Sequence, residues 1–289
     1  MLCAIWRKEQ IPDSWGRGII HPIYKGKGSL KEAKNYRGIT LLNCTLKIYT
    51  GVLCNRLTEW VEKRKLLVKE QAGFRKGFGT VDNAFVLNFL VEKEIQRKGK
   101  LYTCFIDFKR AFDSVNREFL WKKMSRLGLP EKFVRILMSV YAKVEMKVCV
   151  NGDECTRGFE AERGVRQGCK LSPLLFALFI NDLPEYLENV EMHAPCIGVN
   201  EVKMLMYADD VVLVSQSAVG LQRGLNKVNE YSSKYELQVN VEKTKVMIFK
   251  SGRKRDRKFY YGGKDNIEVV SSFKYLGLLF QENGAWTKH

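Results

Sequence analysis

Apolar and polar positions along the chain alternate in two periods that separate its helices from its strands. From Leu46 to Lys65 the residues Leu46, Tyr49, Leu53, Leu57, Trp60 and Val61 recur at helical spacing with charges on the other side, which predicts a scaffold helix. The same period predicts a helix from Val81 to Lys98, two over 117–127 and 131–143 separated by Gly128-Leu129-Pro130, and one over 217–235. Ser172 as an N-cap and Pro173 as the first helical residue open a long apolar helix expected to reach Leu187. Strand patterns occupy 18–24, 39–42, 101–108 and 246–250, with a last apolar segment at 273–280 and a hairpin over 144–162 turning through Asn151-Gly152. The run Met204 to Val214 is apolar except for Asp209-Asp210 at its middle. It predicts two short strands joined at Ala208-Asp209-Asp210, because Asp suits turns and is depleted in strands.

From residue 101 the order strand, helices, hairpin, helix, hairpin, helix, strand contains the split β-α-β arrangement of a ferredoxin-like sheet, an α/β (α+β) class. In that topology Asp107, at the end of one strand, can lie beside the Asp209-Asp210 turn. A chain of 289 residues with 45% apolar composition buries a substantial core, as one large or two closely packed domains. The net charge of +17 points to a polyanionic partner, with nucleic acid ahead of an anionic membrane. Residues 1–100 hold 20 basic and 9 acidic side chains, so this half is the better candidate for a surface that follows phosphates. The eight cysteines include no Cys-x-x-Cys pair and read as reduced, core-filling thiols of an intracellular protein, nuclear or cytoplasmic. No stretch approaches the roughly 20 consecutive apolar residues that a membrane span needs. Three histidines leave little for His-dependent nucleophilic chemistry.

An Asp-Asp turn in isolation is more often structural than catalytic. Asp107 upstream changes this, since several carboxylates at the ends of apolar strands imply a cation that gathers them. Two basic, glycine-containing loops add candidate phosphate contacts. One is Lys25-Gly26-Lys27-Gly28, close to Arg37, whose guanidinium suits a phosphate. The other holds Gly73, Arg75 and Lys76, which suit a nucleic-acid backbone, with a plain helix connection as the alternative.

The segments 105–113 (Phe-Ile-Asp-Phe-Lys-Arg-Ala-Phe-Asp), 164–173 (Gly-Val-Arg-Gln-Gly-Cys-Lys-Leu-Ser-Pro) and Tyr207-Ala208-Asp209-Asp210 resemble the reverse transcriptase domain of non-LTR retrotransposons. Residues 35–39, 71–75, Asn240 with Lys243-Thr244, and 273–277 also look like that family's motifs, in its order, over nearly the whole chain. The resemblance implies right-hand polymerase fingers and palm, the palm built on the ferredoxin-like sheet. It implies an RNA-directed DNA polymerase that extends a DNA primer on an RNA template with deoxynucleoside triphosphates. Two magnesium ions, for which manganese can substitute, would be held by Asp107, Asp209 and Asp210. Lys243 matches a position proposed to protonate the leaving pyrophosphate. Phe112 matches the steric gate against a ribose 2′-hydroxyl, Gln167 and Gly168 the loop at template and nucleotide, and Arg37, assisted by Lys25, the grip on the triphosphate. Asp113 is expected to be structural. Lys170 stands where the family usually has Pro, Phe78-Gly79 where Arg-Ser is commoner, and Glu236 where Gly is frequent.

Fingers are expected over 1–98 and palm over 99–289, with 119–163 packing on the fingers side; thumb and endonuclease are expected to be absent. Three other readings compete: a group II intron maturase-like protein, an RNA-dependent RNA polymerase, and an inactive retroelement relic that only binds nucleic acid. Against the RNA polymerase stand Phe112 and Tyr207-Ala208, where Gly-Asp-Asp and a smaller gate would be usual. Protein partners are not indicated.

Overall fold

The computed structural model describes residues 1–150, 154–250 and 257–288. The turn expected at Asn151-Gly152 lies outside the described residues. The chain forms two compact units, one of residues 1–66 with 112–179 and the other of 67–111 with 180–289. The helix Thr80–Gln96 packs against the strands of the second unit.

In the first unit, strand Gly18–Tyr24 pairs antiparallel with Tyr36–Leu42 and parallel with Glu145–Val150. Helix Cys44–Lys63 begins at Asn43, whose side chain accepts from the N–H groups of Thr45 and Leu46 and so satisfies two orphan donors. Its buried face is Leu46, Tyr49, Leu53, Leu57 and Val61. Trp60 departs from the expected stripe: it is half-buried, with the Arg64 guanidinium 4.8 Å above its ring. Cys149 lies opposite Cys155 in the strand register, and the two form a disulfide. This corrects the expectation that all cysteines are reduced; a cross-strand pair six residues apart carries no local sequence signature.

In the second unit, label helix Thr80–Gln96 α1, and strands Lys100–Ile106, Met204–Tyr207, Asp210–Ser215, Lys245–Lys250, Phe259–Tyr261 and Asp265–Val270 β1 to β6, with helix Ala218–Tyr235 as α2. The sheet order is β5-β6-β4-β1-β3-β2. Strands β4-β1-β3-β2 reproduce the ferredoxin-like order, with α2 crossing from β3 to β4. Strand β1 is buried along nearly its whole length, as expected of a strand covered on both faces. Leu87, Leu90 and Val91 of α1 join Phe105, Val212, Val214 and Phe249 in one core cluster, where each buried side chain contributes about 1.5–3 kcal/mol.

The long apolar helix expected from Ser172 to Leu187 is two helices, Ser172–Phe179 and Leu183–Glu188. Pro184 has no N–H to donate back to residue 180 and its ring would clash there, so the helix restarts with Pro184 in its first turn. Ser172 is itself the first helical residue, its hydroxyl donating to the Arg166 carbonyl at 2.8 Å.

Helix α2 ends at Glu236 with φ +57°, ψ +30°, the left-handed conformation that a helix C-terminus commonly takes and that Gly adopts without strain. Replacing Glu236→Gly, the residue frequent at this position in the resembling family, is expected to raise stability by about 0.5–1 kcal/mol. Urea denaturation measures the change; an unchanged or lower midpoint contradicts it.

Candidate active site

Register brings the carboxylates of the second unit together. Val211 of β3 pairs with Ile106 of β1, and Lys245 of β4 pairs with Phe105 on the other side. One step further along each strand, Asp107 meets Asp210, and Lys243 leads into the same end of the sheet. The Lys243 ammonium lies 3.8 Å from Asp107 Oδ2, both groups reaching solvent. The buried hydroxyl of Thr244 accepts from the Asp107 N–H at 3.2 Å, and the Asn240 N–H donates to the Asp107 carbonyl at 2.7 Å. The motif around Lys243 therefore holds the Asp107 backbone as well as placing a cation beside its carboxylate.

Strands β2 and β3 join through Ala208-Asp209, with Tyr207 opposite Asp210. The turn is thus one residue shorter than expected, and Asp210 opens β3. Ala208 has φ +57° and is buried. Gly73 faces this turn so closely that a Cβ on it would stand 2.2 Å from the Ala208 nitrogen. Arg75 donates to the carbonyls of Val68 and Gln71 and stacks 4.8 Å over Phe78, so its guanidinium organises its own loop; Lys76 is exposed. Of the three residues expected to meet nucleic acid here, Gly73 lies against the Ala208-Asp209 turn, whereas Arg75 braces a loop.

Beside the carboxylates opens a cleft of about 420 Å³, walled by Asp107, Asp210, Lys243, Phe273 and Tyr275. Phe273 stacks on Phe105 at 4.3 Å. The Asp210 carboxyl, although solvent reaches one side of it, is pushed up from 3.8 to about 6, first by burial and then by the charges of Asp209 and Asp107. Three all-oxygen donors that repel one another fit a hard divalent cation, which relieves that repulsion. Among the described residues no group of three or more His, Cys, Asp or Glu side chains is arranged so that it could hold a metal ion.

The remaining candidates belong to the first unit. Gln167 Nε2 donates to both carboxylate oxygens of Asp113 at 3.0 Å. Asp113 thereby orients the Gln167 amide. Gly168 has φ +96°, and a Cβ there would stand 2.8 Å from the Thr40 carbonyl oxygen. The loop is tied down by buried Arg166, which donates to the carbonyls of Val140 and Trp15. Phe112 is half-buried and stacked on Phe176 at 5.0 Å. Arg37 is exposed on its strand, paired opposite Ile23. Lys25, in the turn before it, gives its ammonium to the Lys34 carbonyl at 2.8 Å.

Residues 25–280 match the family described as reverse transcriptase (RNA-dependent DNA polymerase). The chain belongs to the reverse transcriptase family. Relatives of this reverse transcriptase chain include the probable RNA-directed DNA polymerase from transposon BS of Drosophila melanogaster, 30% identical over 83% of the chain and 26% of the relative. The RNA-directed DNA polymerase from mobile element jockey of the same species is 27% identical over 96% of the chain and 30% of the relative. A Pol polyprotein from the type-1 retrotransposable element R2 of Popillia japonica is 26% identical over 95% and 39%. These are non-LTR elements, as the motifs led one to expect, and the chain spans well under half of each relative's length. Apo telomerase from Candida tropicalis, truncated from its C-terminal domain, superposes with a TM-score of 0.63 at 15% identity over 100% of this chain and 59% of that one. Telomerase from Candida albicans gives 0.60 at 13% identity, covering 100% and 48%. The fold of this reverse transcriptase chain is that of polymerase fingers and palm. No helix among the described residues is long and apolar enough to cross a membrane.

The sequence assigns no role to Gln71 or Thr244, although each sits in a quoted motif, and it gives Asp113 only a structural one. Asp113 alone carried a usable signal, a carboxylate one residue after the gate candidate.

The Asp210 shift has a sign that can be tested without substrate. A carboxyl whose folded value lies above its unfolded one stabilises the fold below the unfolded value, and that contribution is lost as pH rises through about 6. In chelator, the melting temperature of the wild-type chain is expected to fall between about pH 4 and 6.5 relative to Asp210→Asn. Parallel melting curves for the two proteins would remove the basis for the shift.

Proposed function

We propose that this chain is the RNA-directed DNA polymerase region of a non-LTR retrotransposon protein, with the first unit as fingers and the second as palm. The observation that carries it is the strand register that sets Asp107 beside Asp210, with Asp209 next to it in the turn, where the Asp210 carboxyl is pushed up first by burial and then by the charges of Asp209 and Asp107. Asp107, Asp209 and Asp210 would hold two magnesium ions, for which manganese can substitute. Bound there, such ions supply activation of the attacking hydroxyl and neutralisation of charge on the leaving group. The primer 3′-hydroxyl, giving up its proton to water, attacks the α-phosphorus of a deoxynucleoside triphosphate; the new phosphodiester forms as the bond from that phosphorus to the bridging oxygen breaks, and pyrophosphate leaves. Lys243, an exposed ammonium beside Asp107, gives that pyrophosphate a proton.

Arg37, with Lys25 in support, takes the triphosphate; the Gln167 amide, held by Asp113, and Gly168 meet template and incoming base. Phe112, braced by Phe176, excludes the ribose 2′-hydroxyl. Gly73, Arg75 and Lys76 belong to the surface that meets nucleic acid, and the net charge of +17 supplies its long-range attraction.

Extension of a DNA primer on an RNA template with deoxynucleotides and magnesium tests this. Asp209→Asn is expected to lower the rate by more than about a hundredfold. Extension unchanged in the variant removes the metal assignment. No extension by wild type, with salt-sensitive nucleic-acid binding retained, favours a protein that only binds. In the same assay Phe112→Ala is expected to raise ribonucleotide use about tenfold; equal discrimination in variant and wild type rejects the gate.

A further inference from the structure

We infer that Gln71 is a positioning residue that fixes the Ala208-Asp209 turn and thereby the geometry in which Asp209 and Asp210 meet a divalent cation. The inference rests on the metal role proposed for those carboxylates. Gln71 is fully buried although its amide is polar. Its Oε1 accepts from two backbone N–H groups, Ala208 at 2.9 Å and Gly73 at 2.8 Å, and its Nε2 donates toward the Ala208 carbonyl at 3.4 Å. One side chain thus holds both polar groups of the single residue that precedes the Asp pair.

That residue needs holding. Ala208 lies in the left-handed region at φ +57°, which an L-residue with a Cβ adopts at a cost that would populate other turn conformations about tenfold or more if nothing opposed it. The neighbouring backbone is built to deliver Gln71 there. The Ala72 N–H donates to the Met206 carbonyl at 2.9 Å and the Met206 N–H to the Glu70 carbonyl at 2.8 Å, so residues 70–72 extend the sheet beyond β2. Gly73 then permits an approach that a Cβ, 2.2 Å from the Ala208 nitrogen, would forbid. A glutamate at 71 would keep the acceptor but lose the donor and bury a charge near three other carboxylates.

The test measures Mn2+ affinity by electron paramagnetic resonance, below the melting temperature of each protein, for wild type, Gln71→Ala, Gln71→Glu, Ala208→Gly and the Gln71→Ala/Ala208→Gly double variant. Gln71→Ala and Gln71→Glu are expected to weaken binding about tenfold. Ala208→Gly, which needs no help to adopt the turn, should restore at least threefold of the Gln71→Ala loss. Primer extension should lose rate with KM for the deoxynucleotide unchanged. If the Gln71 variants melt lower but bind Mn2+ as wild type does, Gln71 is a packing residue and the inference fails; lack of rescue in the double variant also overturns it. Should Gln71→Ala not fold, equal affinity of Gln71→Glu and wild type is the overturning result. Wild type that binds Mn2+ no better than Asp209→Asn instead rejects the proposed metal role, and the inference falls with it.

Discussion

Pairing of β1 with β3 on one side and β4 on the other is the constraint on which the second unit depends. Because Ile106 faces Val211 and Phe105 faces Lys245, the residues that follow the paired ones are committed to one small volume. Neighbouring strands lie about 4.8 Å apart, so two carboxylates and an ammonium at three adjacent strand ends interact without any long side chain reaching across the fold. A one-residue slip in either ladder would turn Asp210 to the other face of the sheet and place an apolar side chain at the site. Leu101, Cys104, Val212 and Val246, all fully buried, resist that slip, since each would have to exchange its core environment for the opposite face.

The apolar core thus sets an electrostatic problem that it cannot solve. It buries the Asp210 carboxyl beside two other acids, and burial first, then the charges of Asp209 and Asp107, push that carboxyl up to about 6. Lys243 offsets part of this beside Asp107, but it is exposed and 3.8 Å away, a distance at which a solvated ion pair contributes little. Relief has to come from a more concentrated positive charge. A divalent cation, the partner proposed for these carboxylates, would supply it and would carry charge for substrate phosphates as well.

How far this was legible from residues depends on the range of the interaction. The hairpin, the β1 strand and the helices follow from periods of two and 3.6 that any short window contains, and the ferredoxin-like order follows from their succession. Asp107 and the Asp209-Asp210 pair were found because acids interrupting apolar strands stand out locally. The helix break near residue 181 was misjudged although Pro184 was visible, since continuous apolar character outweighed one imino acid. The Cys149–Cys155 disulfide and the departure of Trp60 from its stripe depend on cross-strand register and on the neighbouring Arg64.

Gln71 was illegible for a further reason. Its contacts with Ala208 join residues 137 apart, and neither end advertises the other: a buried amide looks like any surface Gln in a polar loop, and an alanine gives no hint of a positive φ. The conflict between an apolar-run alanine and a left-handed turn is a local preference overruled by tertiary structure, and such conflicts persist where the surrounding contacts over-determine them. Glycine at 208 would adopt the turn without help, whereas alanine depends on a partner that holds it there. The Gln71 amide is that partner: two of its hydrogen bonds go to the Ala208 backbone, and its oxygen also receives the Gly73 N–H.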